Sequence, residues 1–374
     1  MIGDPPVEPT GAVVASQPTR AAESIGIRDV KVKRLHREAL VIDTHTHSAT
    51  FLPAFAARAL RWANRRTMPA DVALSDVRPA VDAIVAAAVG DPIATVWWAR
   101  PAWSAVDAQL RRVEAEARRA GATLARTADE VRRCKASGSL AVILGLEGGD
   151  AIGAQLDRLD ELFQRGVRLI VVVHLGDNQI GTTCLPWQGY VGRLPVHSRR
   201  ARGLTSFGRQ VIERMNRLGM VVDVSHADRT TVRDIVEHST APVVASHAGA
   251  RAVEDFERYL DDDEIAAIAA RGGLIGLWPY QAHGHGPADI DALVAHARHI
   301  AELVGPDHLC LGTDMNGVPG VMAGYSGERD VPLITAHLLA AGLTDDQVRG
   351  VLGENFLRVL ETVAQDRPTG PTLE

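Results

Sequence analysis

The chain has 374 residues, of which 46% are hydrophobic, 23% charged and only 4% aromatic. This is an ordinary globular composition with a core drawn mainly from Ala, Val, Leu and Ile, and the length suits one large barrel as well as two smaller domains. A net charge of −6 provides no basic face for nucleic acid or an anionic membrane surface, and no apolar run approaches the ~18 residues of a membrane span.

Residues 1–25 are proline-rich and lack a core pattern, which predicts a flexible arm. No basic start followed by an apolar segment marks a leader, so a cytoplasmic location is expected. Residues 26–364 read as a single domain and 365–374 as a flexible tail. After an amphipathic helix over Arg28 to Ala39, the apolar and β-branched run Leu40-Val41-Ile42 opens a strand that continues through Asp43-Thr44-His45-Thr46-His47. Strict alternation puts Asp43, His45 and His47 on one face, where two imidazoles can close on one cation.

From Phe51 to Pro79 the chain is mixed and reads as a long loop of the kind that covers sites. Val81 to Val89 holds the second strand, and Trp97, Trp98 and Trp103 after it are assigned to helix packing over a pocket wall. Helices over Ala105 to Ala120 and Asp129 to Ser137 precede a third strand, Ala141 to Leu146, that runs into Glu147-Gly148-Gly149-Asp150. A helix over Ala151 to Gln164 leads to the fourth strand, Val167 to Val173, ending at His174. A long polar loop and the helix Ser206 to Leu218 follow, then the strand Met220 to Val224 ending in Ser225-His226. The helix Asp228 to His238, the strand Pro242 to His247, the helix Asp262 to Ala270 and the strand Gly273 to Trp278 continue the alternation. A helix over Pro287 to Val304, a last strand over His308 to Thr313 before Asp314, and helices over Val331 to Ala341 and Thr344 to Ala364 close the chain. Eight apolar strands separated by helices predict a closed parallel (β/α)₈ barrel, and no Gly-x-Gly-x-x-Gly supports a doubly wound sheet instead.

The polar residues that end these strands share one location. His45, His47, Glu147, His174, His226, His247 and Asp314 all lie at carboxyl ends, which converge on the face where barrel enzymes build their sites. Imidazole and carboxylate without thiolate suit Zn²⁺, with Mn²⁺, Co²⁺ or Fe²⁺ as alternatives. The three cysteines, Cys134, Cys184 and Cys310, are too scattered for a thiolate site or a disulfide framework. Four imidazoles and a carboxylate exceed the needs of one catalytic zinc. They fit two ions, with His45 and His47 on one, His226 and His247 on the other, and Glu147 bridging. A hydroxide shared by two cations is a nucleophile at neutral pH.

The motifs Ile42-Asp43-Thr44-His45, Gly145-Leu146-Glu147-Gly148-Gly149 and Gly203-Leu204-Thr205-Ser206-Phe207-Gly208 resemble the membrane (renal) dipeptidase family of binuclear zinc peptidases, within the amidohydrolase superfamily. So do Val222-Asp223-Val224-Ser225-His226, Ala241-Pro242-Val243-Val244-Ala245-Ser246-His247, Gly312-Thr313-Asp314 and Asn355-Phe356-Leu357-Arg358. The resemblance runs from about Arg28 to Ala364. It implies hydrolysis of a dipeptide, in some cases with a D-residue in second place, by a metal-bridging hydroxide. It implies His45, Glu147, His226 and His247 as ligands, His174 as the group facing the oxyanion, and Asp314 as the proton carrier to the leaving amine. Arg258 would grip the substrate carboxylate, Tyr280 would line the pocket, and the chain would form a homodimer.

The departures are specific. His47 stands where the family usually has Asp, which raises the charge of the site by one. Asp150 stands where His often follows Glu-Gly-Gly, Phe256 and Tyr259 flank Arg258 in place of His and Asn, and Asn316 replaces an acidic residue. Two other readings are a lactonase-, phosphotriesterase- or deaminase-like hydrolase and a catalytically retired metal-binding barrel. The first lacks a lysine at the end of strand 4 and a glutamate soon after His226. The second conflicts with the retention of Glu147, His226, His247 and Asp314. Among lesser candidates, Arg251 is an alternative carboxylate clamp and His283 and His285 a pocket rim. Asp261 to Glu264 reads as a helix N-terminus rather than a metal site.

Overall fold

A computed structural model describes residues 29–48, 52–64, 71–191 and 202–365. The expected N-terminal arm and the tail after Gln365 lie outside these residues, as do parts of the long loops after the first and fourth strands.

The barrel strands are β1 (Ile42–His47), β2 (Ala83–Val89), β3 (Ala141–Glu147), β4 (Val167–Val171), β5 (Val221–Asp223), β6 (Val243–Ala248), β7 (Leu274–Leu277) and β8 (Leu309–Leu311). Each pairs in parallel with the next in chain order. A two-residue strand, Thr123–Leu124, pairs with the start of β3. The ring closes just past β8, where Asp314 N–H donates to the His45 carbonyl (2.8 Å) and His47 N–H to that of Met315 (2.9 Å). This is the predicted (β/α)₈ barrel. Among the described residues no helix is long and apolar enough to cross a membrane.

Two apolar layers follow from strand alternation. Ile84, Val142, Leu144, Ile170, Val222 and Ile275 face the surrounding helices. Ile42, Ala83, Val85, Ile143, Leu169, Val221 and Leu274 fill the interior, where Phe356, Leu357 and Leu360 of the last helix plug the amino-terminal end. The Asn355-Phe356-Leu357-Arg358 motif thus closes the barrel floor: Asn355 Nδ2 donates to the Leu309 carbonyl (2.8 Å) and Arg358 to that of Gly272 (2.8 Å).

Helix boundaries follow local capping chemistry. Thr127 and Glu130 form a capping box before Ala128–Ser137, and Asp228 accepts from Thr231 N–H at the start of Arg229–His238. Asp261 and Glu264 likewise box the helix Asp262–Ala270, which is the predicted use of that acidic run.

Several expectations need correction. The mixed region after β1 contains helices at Ala54–Asn64 and Leu74–Val77. The helix expected from Ala151 begins only at Asp157, because Gly149–Ile152 forms a 3₁₀ turn that ends at Gly153, with φ of 59°. The more consequential change is in β1. Its register against β2 shifts between Asp43 and Thr46, so a β-bulge breaks the alternation. His45 and His47 face the centre, whereas Asp43 turns away. Its carboxylate accepts from Thr313 N–H (2.9 Å) and the Thr313 hydroxyl (2.5 Å). Strand β6 also shifts register against β7 between Ala245 and Ala248, around His247. Of the tryptophans, Trp98 lies under the Arg112 guanidinium (4.4 Å) and Trp103 under that of Arg158 (4.8 Å), whereas Trp97 is exposed.

Candidate metal centre

Glu147, at the end of β3, is the hub. Its Oε1 lies 3.3 Å from His45 Nε2, 3.4 Å from His226 Nε2 and 3.5 Å from His247 Nε2. Its Oε2 lies 3.1 Å from His47 Nε2 and 3.5 Å from His174 Nε2. Asp314 Oδ1 completes the group at 3.3 Å from His47 Nε2 and 4.0 Å from His45 Nε2. All seven predicted strand-end residues therefore meet. Within the group, His45, His47 and Asp314 place ligand atoms together, as do His45, Glu147 and His247, and Glu147, His174 and His226.

The backbone is strained where these residues leave their strands. His226 and Asp314 adopt positive φ angles of 67° and 55°, a region that costs a non-glycine residue about 1–3 kcal/mol. The hydroxyl of Thr183 bridges two of the turns, 2.7 Å from the His174 carbonyl and 2.9 Å from that of His226. Asn316 anchors a third: its Nδ2 donates to the carbonyls of His47 (2.7 Å) and Val72 (3.1 Å), and its Oδ1 accepts from Val72 N–H (2.9 Å).

The hydrogen bonds behind the rings bear on what the front atoms do. His47 Nδ1 is 3.0 Å from the Ala87 carbonyl, so it carries the proton and Nε2 faces the cluster. His247 Nδ1 is 2.9 Å from Ser246 Oγ. Among the described residues, Nε2 of His45, His226 and His247 and Oε1 of Glu147 are buried with no hydrogen-bond partner. Orphaned buried polar atoms converging on one point are costly unless something binds there. An all-imidazole and carboxylate set fits a divalent cation.

The electrostatics agree. Burial, then Arg258 and His174, hold the His226 pKa well below the usual imidazole range, and burial with His45 and His226 does the same for His247. Both are therefore neutral, the form that ligates a metal. Burial opposes charge on His47, but hydrogen bonds to Asp314 and Glu147 outweigh it and push its pKa up to about 10. For His174 burial is likewise outweighed, by Glu147 and Asp91, and the pKa rises. Burial of Glu147 is overcome by His174 and His45, which keep it well below the usual carboxylate range.

Access is one-sided. The side chains of His174 and Asp314 are 13% and 10% exposed, whereas those of His45, His47, Glu147, His226 and His247 are at most 4% exposed. Beyond His247, Trp278 meets its ring edge-on at 5.6 Å, Tyr280 stacks on Trp278 at 4.3 Å, and the Arg258 guanidinium lies 4.7 Å from the Trp278 ring centre. Arg258 and Tyr280 are thus one aromatic layer from the centre, and both are buried. Arg251 instead pairs with Asp255 at 2.7 Å on the surface. His283 and His285 flank a tight turn, with His285 half-exposed and stacked on Phe256 at 4.4 Å.

Sequence reasoning missed Asp91, whose Oδ2 is 2.6 Å from His174 Nδ1, and Trp278. The signal for Asp91 was Val89-Gly90-Asp91, a carboxylate just past the end of β2, in the same relative place as the residues that were recognised.

A parallel barrel with buried imidazoles and carboxylates gathered at its strand ends has the layout of a metal-dependent barrel enzyme. Within that class, the chain belongs to the membrane dipeptidase family (peptidase family M19), whose signature matches residues 30–371. An uncharacterised dipeptidase of Schizosaccharomyces pombe is 33% identical over 236 residues, 62% of this chain and 55% of that protein. Dipeptidase verJ of Clonostachys rogersoniana is 30% identical over 244 residues, 65% of this chain and 60% of that protein. The chain spans little more than half the length of these two curated relatives. A metallopeptidase from Rhodobacter sphaeroides, solved with a phosphinate mimic of the dipeptide L-Ala-D-Ala, superposes with a TM-score of 0.72 at 26% identity, covering 87% of this chain and 99% of that one.

Proposed function

We propose that the protein is a metal-dependent dipeptidase that hydrolyses the amide of a free-carboxylate dipeptide. The observation that carries this reading is the single buried carboxylate, Glu147, surrounded at 3.1–3.5 Å by five imidazole Nε2 atoms. We assign two zinc ions, one on His45 and His47, one on His226 and His247, with Glu147 shared. Cations held there supply Lewis acidity toward the scissile carbonyl and lower the pKa of the attacking water.

The chain's own residues do the rest. Asp314 takes the proton of the attacking water and passes it to the leaving amine as the C–N bond breaks, releasing two amino acids. His174 Nε2, on the open side, donates to the oxygen of the tetrahedral intermediate. Arg258 takes the substrate carboxylate, for which its planar fork is suited, and Tyr280 walls that end of the pocket. The dipeptide mimic bound by the Rhodobacter sphaeroides relative supports testing D-residues in second position.

The test is amine release from L-L and L-D dipeptides by zinc-loaded protein, with Glu147→Gln alongside and cations counted by mass spectrometry. Hydrolysis abolished by Glu147→Gln is expected. Protein that holds two cations per chain yet cleaves no dipeptide would refute the assignment.

A further inference from the structure

We propose that Asp91 is a positioning residue for the reaction, accepting the Nδ1 proton of His174 and fixing the Nε2 edge of that ring toward the centre. The inference rests on the reading of His174 as the donor to the oxyanion. It gives a role to β2, the one strand among the first six that contributes none of the predicted residues.

The contact is short and held from both sides. Asp91 Oδ2 is 2.6 Å from His174 Nδ1, and Asp91 is 1% exposed. Its other oxygen accepts from Ala94 N–H (3.0 Å), and its carbonyl accepts from the N–H (3.0 Å) and hydroxyl (2.9 Å) of Thr95, so the carboxylate cannot swing away. Gly90 brings the turn close enough. Its N–H donates to the Glu147 carbonyl (2.7 Å), and a Cβ there would lie 2.3 Å from the Gly148 carbonyl oxygen. Only glycine permits that approach. The turn that carries Asp91 is thereby locked to the turn that carries Glu147. On the other side of the ring, Thr183 fixes the His174 backbone through its carbonyl at 2.7 Å.

The chemistry calls for such a partner. An imidazole that donates from both nitrogens is an imidazolium, and a buried carboxylate on one nitrogen supplies the required counter-charge and sets the ring plane. A histidine with a purely structural role is bound differently here. His36 meets the Thr335 hydroxyl and the Ala80 carbonyl, each at 2.8 Å, and leaves no nitrogen facing a cavity. His174 spends one nitrogen on Asp91 and presents the other beside Glu147. It is also the most exposed of the five clustered imidazoles, at 13%.

The experiment is a double-mutant cycle on the metal-loaded enzyme, with a readout independent of turnover. Asp91→Asn should lower kcat roughly 10- to 100-fold, with KM and cation stoichiometry little changed. On a His174→Gln background it should cost nothing further. Losses that multiply across the cycle, or loss of bound cation in Asp91→Asn alone, would overturn the proposal in favour of a merely structural carboxylate. Independently, proton NMR of histidine-labelled protein should show a far-downfield Nδ1 proton that disappears in both Asp91→Asn and His174→Gln. Its persistence in Asp91→Asn would overturn the pairing even if the wild type cleaved no dipeptide, so the two readings fail separately. Should Asp91→Asn not fold, Asp91→Ser is read in the same way.

Discussion

The carbonyl of Ser246 turns into the barrel at the β6 bulge, where the Thr44 hydroxyl donates to it at 3.2 Å. Two glycines leave room for it. A Cβ on Gly276 would lie 1.6 Å from the Ser246 oxygen, and one on Gly312 1.9 Å from the same atom. Gly276 is in ordinary strand conformation, so Gly276→Ala is a purely steric perturbation. Restoring van der Waals contact requires the carbonyl to retreat by about 1.5 Å. Overpacking of this kind costs about 1–3 kcal/mol or more, against a gain of about 0.4–1 kcal/mol from the stiffer unfolded chain. A net loss of about 2 kcal/mol, at an unfolding entropy of roughly 0.8 kcal/mol/K for this length, lowers Tm by about 2–3 °C. The functional loss should be larger, because Ser246 precedes His247 and a misplacement of about 1 Å can cost about 10²-fold in rate. Calorimetry, bound-cation counts and kcat would be measured on Gly276→Ala and on Gly176→Ala. At Gly176 a Cβ meets nothing within 4 Å, and the change should stay within about 0.5 kcal/mol. Wild-type melting and activity in Gly276→Ala would refute the reasoning.

Other consequences are equally direct. Chelation should lower Tm by about 3 °C if the cation normally stands near 100-fold above its Kd, and adding a divalent cation should restore it; an unchanged Tm would count against a metal site. With its pKa pushed up to about 10, His47 must surrender a proton to bind a cation. Calorimetric binding enthalpy near pH 7 should therefore vary with the buffer's ionisation enthalpy, and buffer-independent heats would contradict the ligand assignment. Burial, offset in part by Asn178 and reinforced by Asp91, raises the Asp150 pKa to about 6. The folded state therefore favours the protonated form, whose stabilisation is full below the unfolded value near 4 and is lost as pH rises through 6. Asp150→Asn should thus be more stable than wild type by about 3 kcal/mol at pH 8, and the difference should vanish as pH falls to about 3 in paired denaturant titrations. Asn316→Ala strips partners from the buried backbone of His47 and Val72 and should cost about 1–3 kcal/mol in urea unfolding; a smaller loss would mean that water replaces the amide.

The strand ends were legible because one strand of a parallel barrel is much like the next. An apolar run followed by His or Glu occurs at His45, Glu147, His174, His226 and His247, and the structure joins all of them. Asp91 escaped because it follows a glycine at the end of an alanine-rich strand and looks like an ordinary turn residue. Asp43 was placed on the wrong face because alternation presumes unbroken pairing. The bulge depends on the Thr44 hydroxyl reaching the Leu311 carbonyl (2.9 Å) across the barrel seam, a partner 267 positions away that no local window contains. The helices after β1 escaped because Ala54–Asn64 leaves large apolar residues, Phe55 and Trp62, exposed in a stretch rich in Arg, and Leu74–Val77 is only four residues long, too short to show a period.

The β1 bulge gives this barrel a parity. Between Ile42, which points inward, and His47, which also points inward, lies an even number of residues where plain alternation would require an odd one. At this length, unbroken pairing that kept Ile42 inward would send both histidines toward the helices, on the same face as Asp43, whereas adding or removing one residue would bring them inward with no bulge at all. A His-x-His pair is therefore not a portable cassette: transplanted onto another barrel, it would need Thr44 and acceptors equivalent to the carbonyls of Ser246 and Leu311 to arrive facing inward.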